Sequence, residues 1–249
     1  MKSTYSRFRI FLLLIPAFIV IASCKKTTEP PVDYKHEYYP IDSGRYVIYE
    51  VDSVTYDNFF NPIHIDTAHF QLKVMVGSVF TDNLGRTSYR IDRYRRANDT
   101  SAWTLTDVWS ATRNNSTLET LDENLRFVKL VFPPKITSSW AGNSFIDVND
   151  PLLAFYNGWT YSYSALDVPM TIDSFNLDST LTQVGVNDSN LIEQRLSIEV
   201  YSKHLGLVKK DERHLLIETQ RIDTVNHSLP WVFKANKGYI LRMKMIGHN

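Results

Sequence analysis

The stretch Phe70-Gln71-Leu72-Lys73-Val74-Met75-Val76 places an apolar side chain at every second position. A repeat of two residues is typical of a β-strand with one buried face and one hydrated face. This stretch therefore predicts a strand with Phe70, Leu72, Val74 and Val76 directed at a core.

The same period recurs outward from this strand. Further apolar faces are formed by Tyr89 and Ile91; by Trp103 and Leu105; by Ile192, Leu196, Ile198 and Val200; and by Tyr239, Leu241, Met243 and Met245. Polar turn signals lie at residues 82–85, 114–115, 122–124 and 187–190. Strands joined by short polar turns are typical of antiparallel hairpins.

Residues 46–51 (YVIYEV) are apolar on both faces except for Glu50, which predicts a central strand covered on both sides. Helical signals are few. Asp150 precedes Pro151 and Gly158 ends the segment, which predicts one or two helical turns. The fold class is therefore all-β: a single antiparallel domain, as a strongly curved half-barrel, a barrel or a sandwich, with at most one or two short helices.

The chain has 249 residues, 27 basic and 27 acidic, and 43% apolar residues. This composition excludes a disordered tail, a collagen-like repeat and a multi-spanning membrane protein. With one cysteine, no internal disulfide can form.

The first 23 residues have the organisation of a secretory signal peptide. Lys2, Arg7 and Arg9 precede an uncharged apolar run at residues 10–21, which is too short for a stable transmembrane helix. Removal of residues 1–23 leaves 24 basic and 27 acidic residues, a net charge of −3. The mature chain therefore lacks a basic patch of the kind that binds nucleic acid.

Ile21-Ala22-Ser23-Cys24 resembles the bacterial lipobox, in which the cysteine is lipidated and becomes the first mature residue. The resemblance implies a membrane anchor at Cys24. Residues 24–37 contain Pro30-Pro31 and predict a flexible tether, with the β domain at residues 38–249. Lys25 does not resemble an inner-membrane retention signal. The expected location is the outer membrane, on its periplasmic or its cell-surface face.

The ordered segments 39–46 (YPIDSGRY), 127–133 (FVKLVFP) and 201–208 (YSKHLGLV) are similar to those of uncharacterised outer-membrane lipoproteins of the Bacteroidota. Val47 departs from this pattern, because related sequences often have Trp there. The resemblance spans about residues 38–246. That group has no assigned catalytic or binding residues, so none is carried over.

Candidates for metal binding have ordinary structural explanations. His64, Asp66 and His69 lack the close pairing of zinc ligands, and on a strand His69 would point away from the other two. His204 and His214 flank a predicted turn at Gly206. Residues 147–150 (DVND) offer oxygen ligands but lack EF-hand spacing. We therefore predict no metal, no cofactor and no catalytic residue.

Aromatic residues cluster along the chain at Trp140, Tyr156, Trp159, Tyr161 and Tyr163. They could stack on a sugar or line an apolar cavity. The alternative is that they fill the core of a β domain, which is the interpretation we favour.

Four Asp-Ser/Thr-apolar triplets resemble the O-glycosylation sites of exported Bacteroidota proteins. The acceptor positions would be Ser53, Thr67, Ser179 and Thr224. Asp-Ser and Asp-Thr pairs also form turns without any modification.

The sequence thus predicts a monomeric, lipid-anchored protein of the cell envelope with a non-enzymatic binding or scaffolding role. Its partners would be the membrane and a glycan, a lipid or other envelope proteins. One alternative is an envelope hydrolase acting on glycans, which requires two convergent carboxylates and a perturbed pKa. Another is a carrier of an acyl chain, which requires a continuous apolar cavity.

Overall fold

The computed structural model describes residues 30–60, 62–218 and 221–249. The chain divides into Met1–Asp33, of which only residues 30–33 are described, and a compact unit, Tyr34–Asn249. The predicted signal peptide and Cys24 lie outside the described residues.

The compact unit is built from β-strands that all pair antiparallel in one sheet. The twelve strands of the described residues are β1 (Tyr46–Asp57), β2 (His64–Thr81), β3 (Thr87–Arg96), β4 (Thr104–Arg113), β5 (Thr117–Asp122), β6 (Leu125–Val131), β7 (Ser139–Trp140), β8 (Tyr161–Ile172), β9 (Phe175–Ser189), β10 (Glu193–Ser202), β11 (Gly206–Leu216) and β12 (Lys237–His248). The order in the sheet is β6-β5-β4-β3-β2-β1-β12-β11-β10-β9-β8-β7. The prediction of an all-β antiparallel domain is confirmed.

The two ends of this sheet meet, so the sheet forms a nearly closed barrel. The Val128 N–H of β6 donates a hydrogen bond to the Gly142 carbonyl at 2.7 Å. The Trp140 indole of β7 donates to the Val128 carbonyl at 2.8 Å. Closure pairs groups that an open sheet would leave exposed at its edges. Of the three predicted architectures, the barrel is the one formed.

Helices contribute little to the described residues. They comprise α1 (Trp231–Lys234) and two 3₁₀ turns, His36–Tyr38 and Ala154–Tyr156. The predicted helix after Asp150 is reduced to the second of these turns. Asp150 itself accepts the Leu152 N–H at 2.9 Å, as a capping residue does.

The folded unit begins four residues before the predicted boundary at residue 38. Lys35 forms an ion pair with Asp167, and the Glu37 carboxylate lies 3.4 Å from Lys203 Nζ. Tyr38 is completely buried. Residues 34–37 therefore belong to the domain, because their side chains pair with the barrel.

The alternation of β12 is observed as predicted, whereas in β2 Gln71 of the predicted hydrated face is buried together with Leu72. Leu72, Met243 and Met245 are buried. In the middle of the sheet, β1 buries Tyr49 and Val51, whereas Ile48 on its other face remains partly exposed. The prediction that β1 is fully covered on both faces is therefore wrong, since only one face is completely enclosed.

Two predicted core faces are wrong. Leu105 of β4 is 43% exposed, because a register shift between Arg93 and Tyr94 pairs Leu105 with Tyr94 instead of continuing the buried face. The second face is wrong at Ile198 of β10, which is partly exposed, and at Ile192, which lies just before β10 and is 39% exposed, whereas Val200 of the same face is buried as predicted.

The fully buried positions of β10 include three residues of the face that was predicted to be hydrated, Ser197, Glu199 and Tyr201. The glutamate can lie inside the barrel because lysines from two other strands neutralise it.

Candidate functional site

Glu199 is the centre of a buried network of ion pairs. Its Oε1 lies 2.9 Å from Lys129 Nζ of β6 and 3.5 Å from Lys210 Nζ of β11. The Glu199 side chain is only 3% exposed. Strands β10 and β11 are neighbours, whereas β6 lies at the far end of the sheet order. Closure of the barrel therefore brings Lys129 to the network.

Hydrogen bonds from two tyrosines complete the network. The Tyr201 hydroxyl donates to Glu199 Oε2 at 2.6 Å. Lys210 Nζ lies 2.7 Å from Glu212 Oε2, and the Tyr239 hydroxyl donates to Glu212 Oε1 at 2.6 Å. Both oxygens of each glutamate thus have a partner, as buried charges require.

Asp122 is the exception in this network. Its Oδ2 lies 3.9 Å from Lys129 Nζ, a distance too long for a hydrogen bond, and its side chain is 15% exposed. Asp122 Oδ1 and the Thr120 hydroxyl are both buried without a hydrogen bond of ideal geometry among the described residues. The two side chains are neighbours, and a hydrogen bond from Thr120 is one of the interactions that lower the pKa of Asp122.

The Tyr39 hydroxyl is another polar group beside this network. It lies at the same end of the barrel interior, where the charges of Asp122, Glu199 and Lys129 act on it. Burial, followed by the two carboxylates, raises the pKa of Tyr39 above its usual range, so the hydroxyl remains protonated. It can therefore act as a donor.

The network shifts the pKa values of Glu199 and Asp122 in opposite directions. Burial by itself raises the pKa of Glu199, but Lys129 and Lys210 outweigh it and lower this pKa to about 2. Burial also raises the pKa of Asp122, and there the lysines only partly oppose it. Glu199 is thus held ionised, whereas Asp122 is a weaker acid than an exposed aspartate.

A cavity of about 130 Å³ lies beside the network and includes Tyr39 and Asp122 in its wall. Most of the remaining wall is apolar: Val47, Tyr49, Val74, Val76, Ile91, Trp109, Leu205, Leu207, Leu241 and Met243. Other polar contributors are Arg45, Arg93, Ser110, Thr120, Lys129, Glu199, Tyr201, Lys210 and Asn249. The cavity thus has an apolar body and one charged end.

The N-terminal segment closes one end of this cavity. Tyr39 and Pro40 line it, next to Gly206 at the β10–β11 turn. The turn requires glycine, because the backbone φ of Gly206 is +88°. The Arg113 guanidinium donates to the Tyr39 carbonyl at 2.7 Å, which fixes the segment across the barrel end.

The five predicted stacking aromatics do come together. Trp140 lies 4.8 Å from Tyr163 and 6.0 Å from Tyr161, measured between ring centroids, and Trp159 lies 5.0 Å from Tyr156. Trp159, Tyr161 and Tyr163 are 6%, 2% and 2% exposed, so they pack on other rings and offer no free face. Trp140 and Tyr156 are partly exposed.

The predicted glycosylation acceptors differ in their surroundings. Thr67 and Thr224 are exposed, and Ser53 is partly exposed. The Ser179 hydroxyl hydrogen-bonds with the Tyr38 hydroxyl at 2.9 Å. Ser179 is thus the acceptor least available for modification.

Two of the four histidines weighed as metal ligands have a carboxylate partner among the described residues. His69 lies 2.7 Å from Asp52, and His214 lies 3.0 Å from Glu193 and stacks on Phe155. The described residues contain no group of three or more side chains suited to a metal ion. Asp147 accepts the Asn149 N–H at 3.0 Å within its own turn.

The sequence interpretation missed the buried network. It assigned Glu199 to a hydrated face, because Glu199 alternates with Ile198 and Val200. A signal was available in Lys129, which lies in the otherwise apolar segment 127–132 (FVKLVF). A charge in such a segment calls for a partner of opposite sign elsewhere in the fold.

Comparisons with known proteins give little further information. No family model matches the chain, and no curated protein matches it. One similar solved structure is described as that of a putative lipoprotein from Parabacteroides distasonis, with 9% sequence identity and a TM-score of 0.33. The match covers 87% of this chain and 100% of that chain. Within the described residues, no helix is both long and apolar enough to cross a membrane.

Proposed function

We propose that this chain is a lipid-anchored protein of the cell envelope that binds a small ligand inside its barrel without transforming it. The observation that carries the binding role is the cavity, whose apolar wall ends at the charged groups of Asp122, Glu199 and Lys129. A well-formed apolar cavity with a few converging polar groups is the usual form of a ligand site.

The anchor is proposed from the signal sequence. The only cysteine of the chain, Cys24, directly follows Ile21-Ala22-Ser23 at the end of the signal peptide. Lys25 favours the outer membrane as the destination, on either face. The lipobox resemblance implies three acyl chains on Cys24, and these would keep the protein bound to its membrane, because stable anchoring needs only two lipid signals.

The hydrogen bonds and ionisation of Glu199 and Asp122 favour a binding role over glycan hydrolysis. Glu199 has both oxygens occupied and a pKa near 2, so it cannot act as a general acid at neutral pH. Asp122 would lack a second free carboxylate as its partner. Networks of structural ion pairs also shift pKa values, so Asp122 alone does not indicate catalysis.

The size of the cavity favours a compact ligand over an acyl chain. Its 130 Å³ is close to the volume of an engineered cavity that holds one benzene molecule. Typical pockets for larger ligands measure roughly 300–1,000 Å³. A single ring, or an aliphatic group of similar size, therefore suits the site best.

Native mass spectrometry of the full-length protein, extracted in mild detergent from its own host, tests the binding role. We expect a co-purifying small molecule as a discrete mass difference. Val76→Phe should abolish this mass, because Val76 lines the cavity. Val79→Phe is the matched control on the same strand, since Val79 is 54% exposed. A ligand-free mass for the wild-type protein, or a mass retained by Val76→Phe, would contradict the proposal.

A further inference from the structure

We propose that the outer face of the barrel binds an acidic saccharide at Lys73, at a site separate from the cavity. Lys73 lies in β2 between Leu72 and Val74, so its side chain points to the opposite face from Val74 of the cavity wall. Its partners in the neighbouring strands are Ile48 of β1 and Tyr94 of β3. The site is thus formed by the outer face of β1, β2 and β3.

Three aromatic rings surround the Lys73 ammonium. Its Nζ lies 4.7 Å from the ring centroid of Tyr94, 5.1 Å from that of Trp103 and 5.9 Å from that of Tyr46. All four residues are partly exposed, and Lys73 Nζ is not among the buried polar atoms that lack a partner. The negative faces of the rings therefore hold the ammonium in place while solvent still reaches it.

Lys73 is a cation without an acidic partner. Among the residues that the structure describes, its ammonium forms no ion pair and no hydrogen bond. The acids on the same outer face have other cations as partners, since Asp92 lies 2.6 Å from Arg90 and Glu50 lies 3.6 Å from Lys244. The charge of Lys73 is therefore available to a ligand.

A second cation beside the rings is already neutralised. The Arg96 guanidinium carbon lies 4.4 Å from the ring centroid of Trp103. Its Nη2 lies 2.6 Å from the Asp99 carboxylate, and its Nε donates to Gln71 Oε1 at 2.7 Å. The surface around Trp103 thus keeps a net positive charge, which comes from Lys73.

The polar atoms of the three rings suit the same kind of ligand. Tyr46 and Tyr94 each carry a hydroxyl, and Trp103 carries an indole N–H. None of these groups has a hydrogen-bond partner within the described part of the chain. An ammonium surrounded by such donors fits an anionic oxygen group, that is, a carboxylate, a sulfate or a phosphate.

The rings also indicate what carries this anionic group. Tyrosine and tryptophan combine an apolar ring with a polar tip, so they can pack against the C–H groups of a sugar while its hydroxyls remain hydrated. Ile48 and Met75, both partly exposed, extend the apolar part of this surface. An acidic saccharide uses the ammonium and the rings together, whereas an inorganic anion would use only the ammonium and a neutral sugar only the rings.

Isothermal titration calorimetry of the full-length protein in nanodiscs, with empty nanodiscs as the blank, tests this site. Two matched pairs of probes are compared: glucose 6-phosphate with glucose, and trigalacturonate with maltotriose. Inorganic phosphate is the anion without a sugar. We expect each acidic saccharide to bind at least about tenfold more tightly than its neutral counterpart, as a hydrogen bond to a charged group predicts, and more tightly than inorganic phosphate.

Substitutions test the assigned residues. Lys73→Met removes the charge and should weaken both acidic saccharides about tenfold or more, whereas Lys73→Arg keeps the charge and should change their affinity less than about threefold. Lys209→Met is the control, because it removes the same charge from an exposed position of β11. Trp103→Leu should weaken binding about threefold or more, and it keeps the test valid if Lys73→Met does not fold.

The inference is overturned if a neutral sugar or inorganic phosphate binds as tightly as the acidic saccharides. It is also overturned if neither acidic saccharide binds, or if Lys73→Met binds them as the wild type does. Val76→Phe separates this site from the cavity, because Val76 lines the cavity from the inner face of the same strand. This variant should bind the acidic saccharides unchanged, and a loss of binding would place the saccharide in the cavity and overturn the outer site.

Discussion

Glu199→Gln replaces an ionised and nearly inaccessible carboxylate with a neutral amide of the same shape. In the native barrel this carboxylate faces Lys129, Lys210 and the Tyr201 hydroxyl. The amide oxygen can still accept from Tyr201. The two lysines, however, lose the charge that neutralises them most closely, and they remain buried. We therefore expect a large loss of stability with the fold preserved.

The pKa of Glu199 gives the size of this loss. Its value falls from 4.5 to about 2 in the folded state, which corresponds to roughly 3 kcal/mol of unfolding free energy at pH 7. Because the folded-state pKa is the lower one, this stabilisation is complete above about pH 4.5. It is lost as the pH falls towards about 2. Removal of one partner from a buried ion pair typically costs 3–5 kcal/mol, which agrees with this value.

Urea unfolding, followed by tryptophan fluorescence at pH 7 and pH 3, measures the effect. The difference in unfolding free energy between wild type and Glu199→Gln should be about 3 kcal/mol at pH 7 and less than half of that at pH 3. Asp178→Asn, at an exposed acidic residue, is the control and should change stability by less than about 0.5 kcal/mol. A Glu199→Gln difference below 1 kcal/mol at pH 7, or one that does not depend on pH, would refute the reasoning.

Three further predictions concern the contact between the two ends of the sheet at Val128 and Gly142, the N-terminal segment and the lipid anchor. Gly142→Ala should destabilise the barrel by about 1–3 kcal/mol in urea unfolding, because a Cβ there would lie 2.5 Å from the Tyr161 ring. Gly247→Ala, whose Cβ would meet its nearest neighbour at 3.9 Å, should change stability by no more than about 0.5 kcal/mol. Asp167→Asn should speed tryptic cleavage of the N-terminal segment, which Asp167 holds by an ion pair, without altering the urea midpoint of the barrel. Cys24→Ser should move the protein from the membrane fraction to the soluble fraction and abolish labelling by radioactive palmitate, and retention of both properties would contradict lipidation.

The sequence predicted β12 well because it has one apolar face and one hydrated face, and it predicted the apolar face of β2 although Gln71 on the opposite face is buried. Their alternation therefore reports directly on burial, as Leu72 and Met243 show. The hairpin at residues 122–124 was also predictable, since Glu123 and Asn124 adopt the left-handed conformation of a tight turn. In these segments local chemistry and the final fold agree.

The prediction of buried faces failed in two strands, where the fold exposes an apolar residue or buries a polar face. In β4 a register shift moved Leu105 out of the buried face, and no turn residue or proline marks that shift in the sequence. In β10 the polar face is buried, because Glu199 gains two lysines that lie 70 and 11 positions away in the chain. The periodicity of a sequence describes one strand at a time. It therefore cannot show that a charge on one strand is neutralised by charges on other strands.

The candidate site depends on the closure of the barrel in a way that no local motif encodes. Asp122 and Lys129 belong to the β5–β6 hairpin, whereas Glu199 belongs to β10, and the two regions become neighbours only because the sheet ends meet at Val128 and Gly142. A core of apolar residues at these positions would be at least as stable as the ion pairs, since burying charges costs desolvation energy. The ion pairs direct Lys129 at Glu199, at 2.9 Å, whereas Asp122 lies 3.9 Å from the same lysine. The closure of the barrel therefore determines which carboxylate receives the hydrogen bond of Lys129.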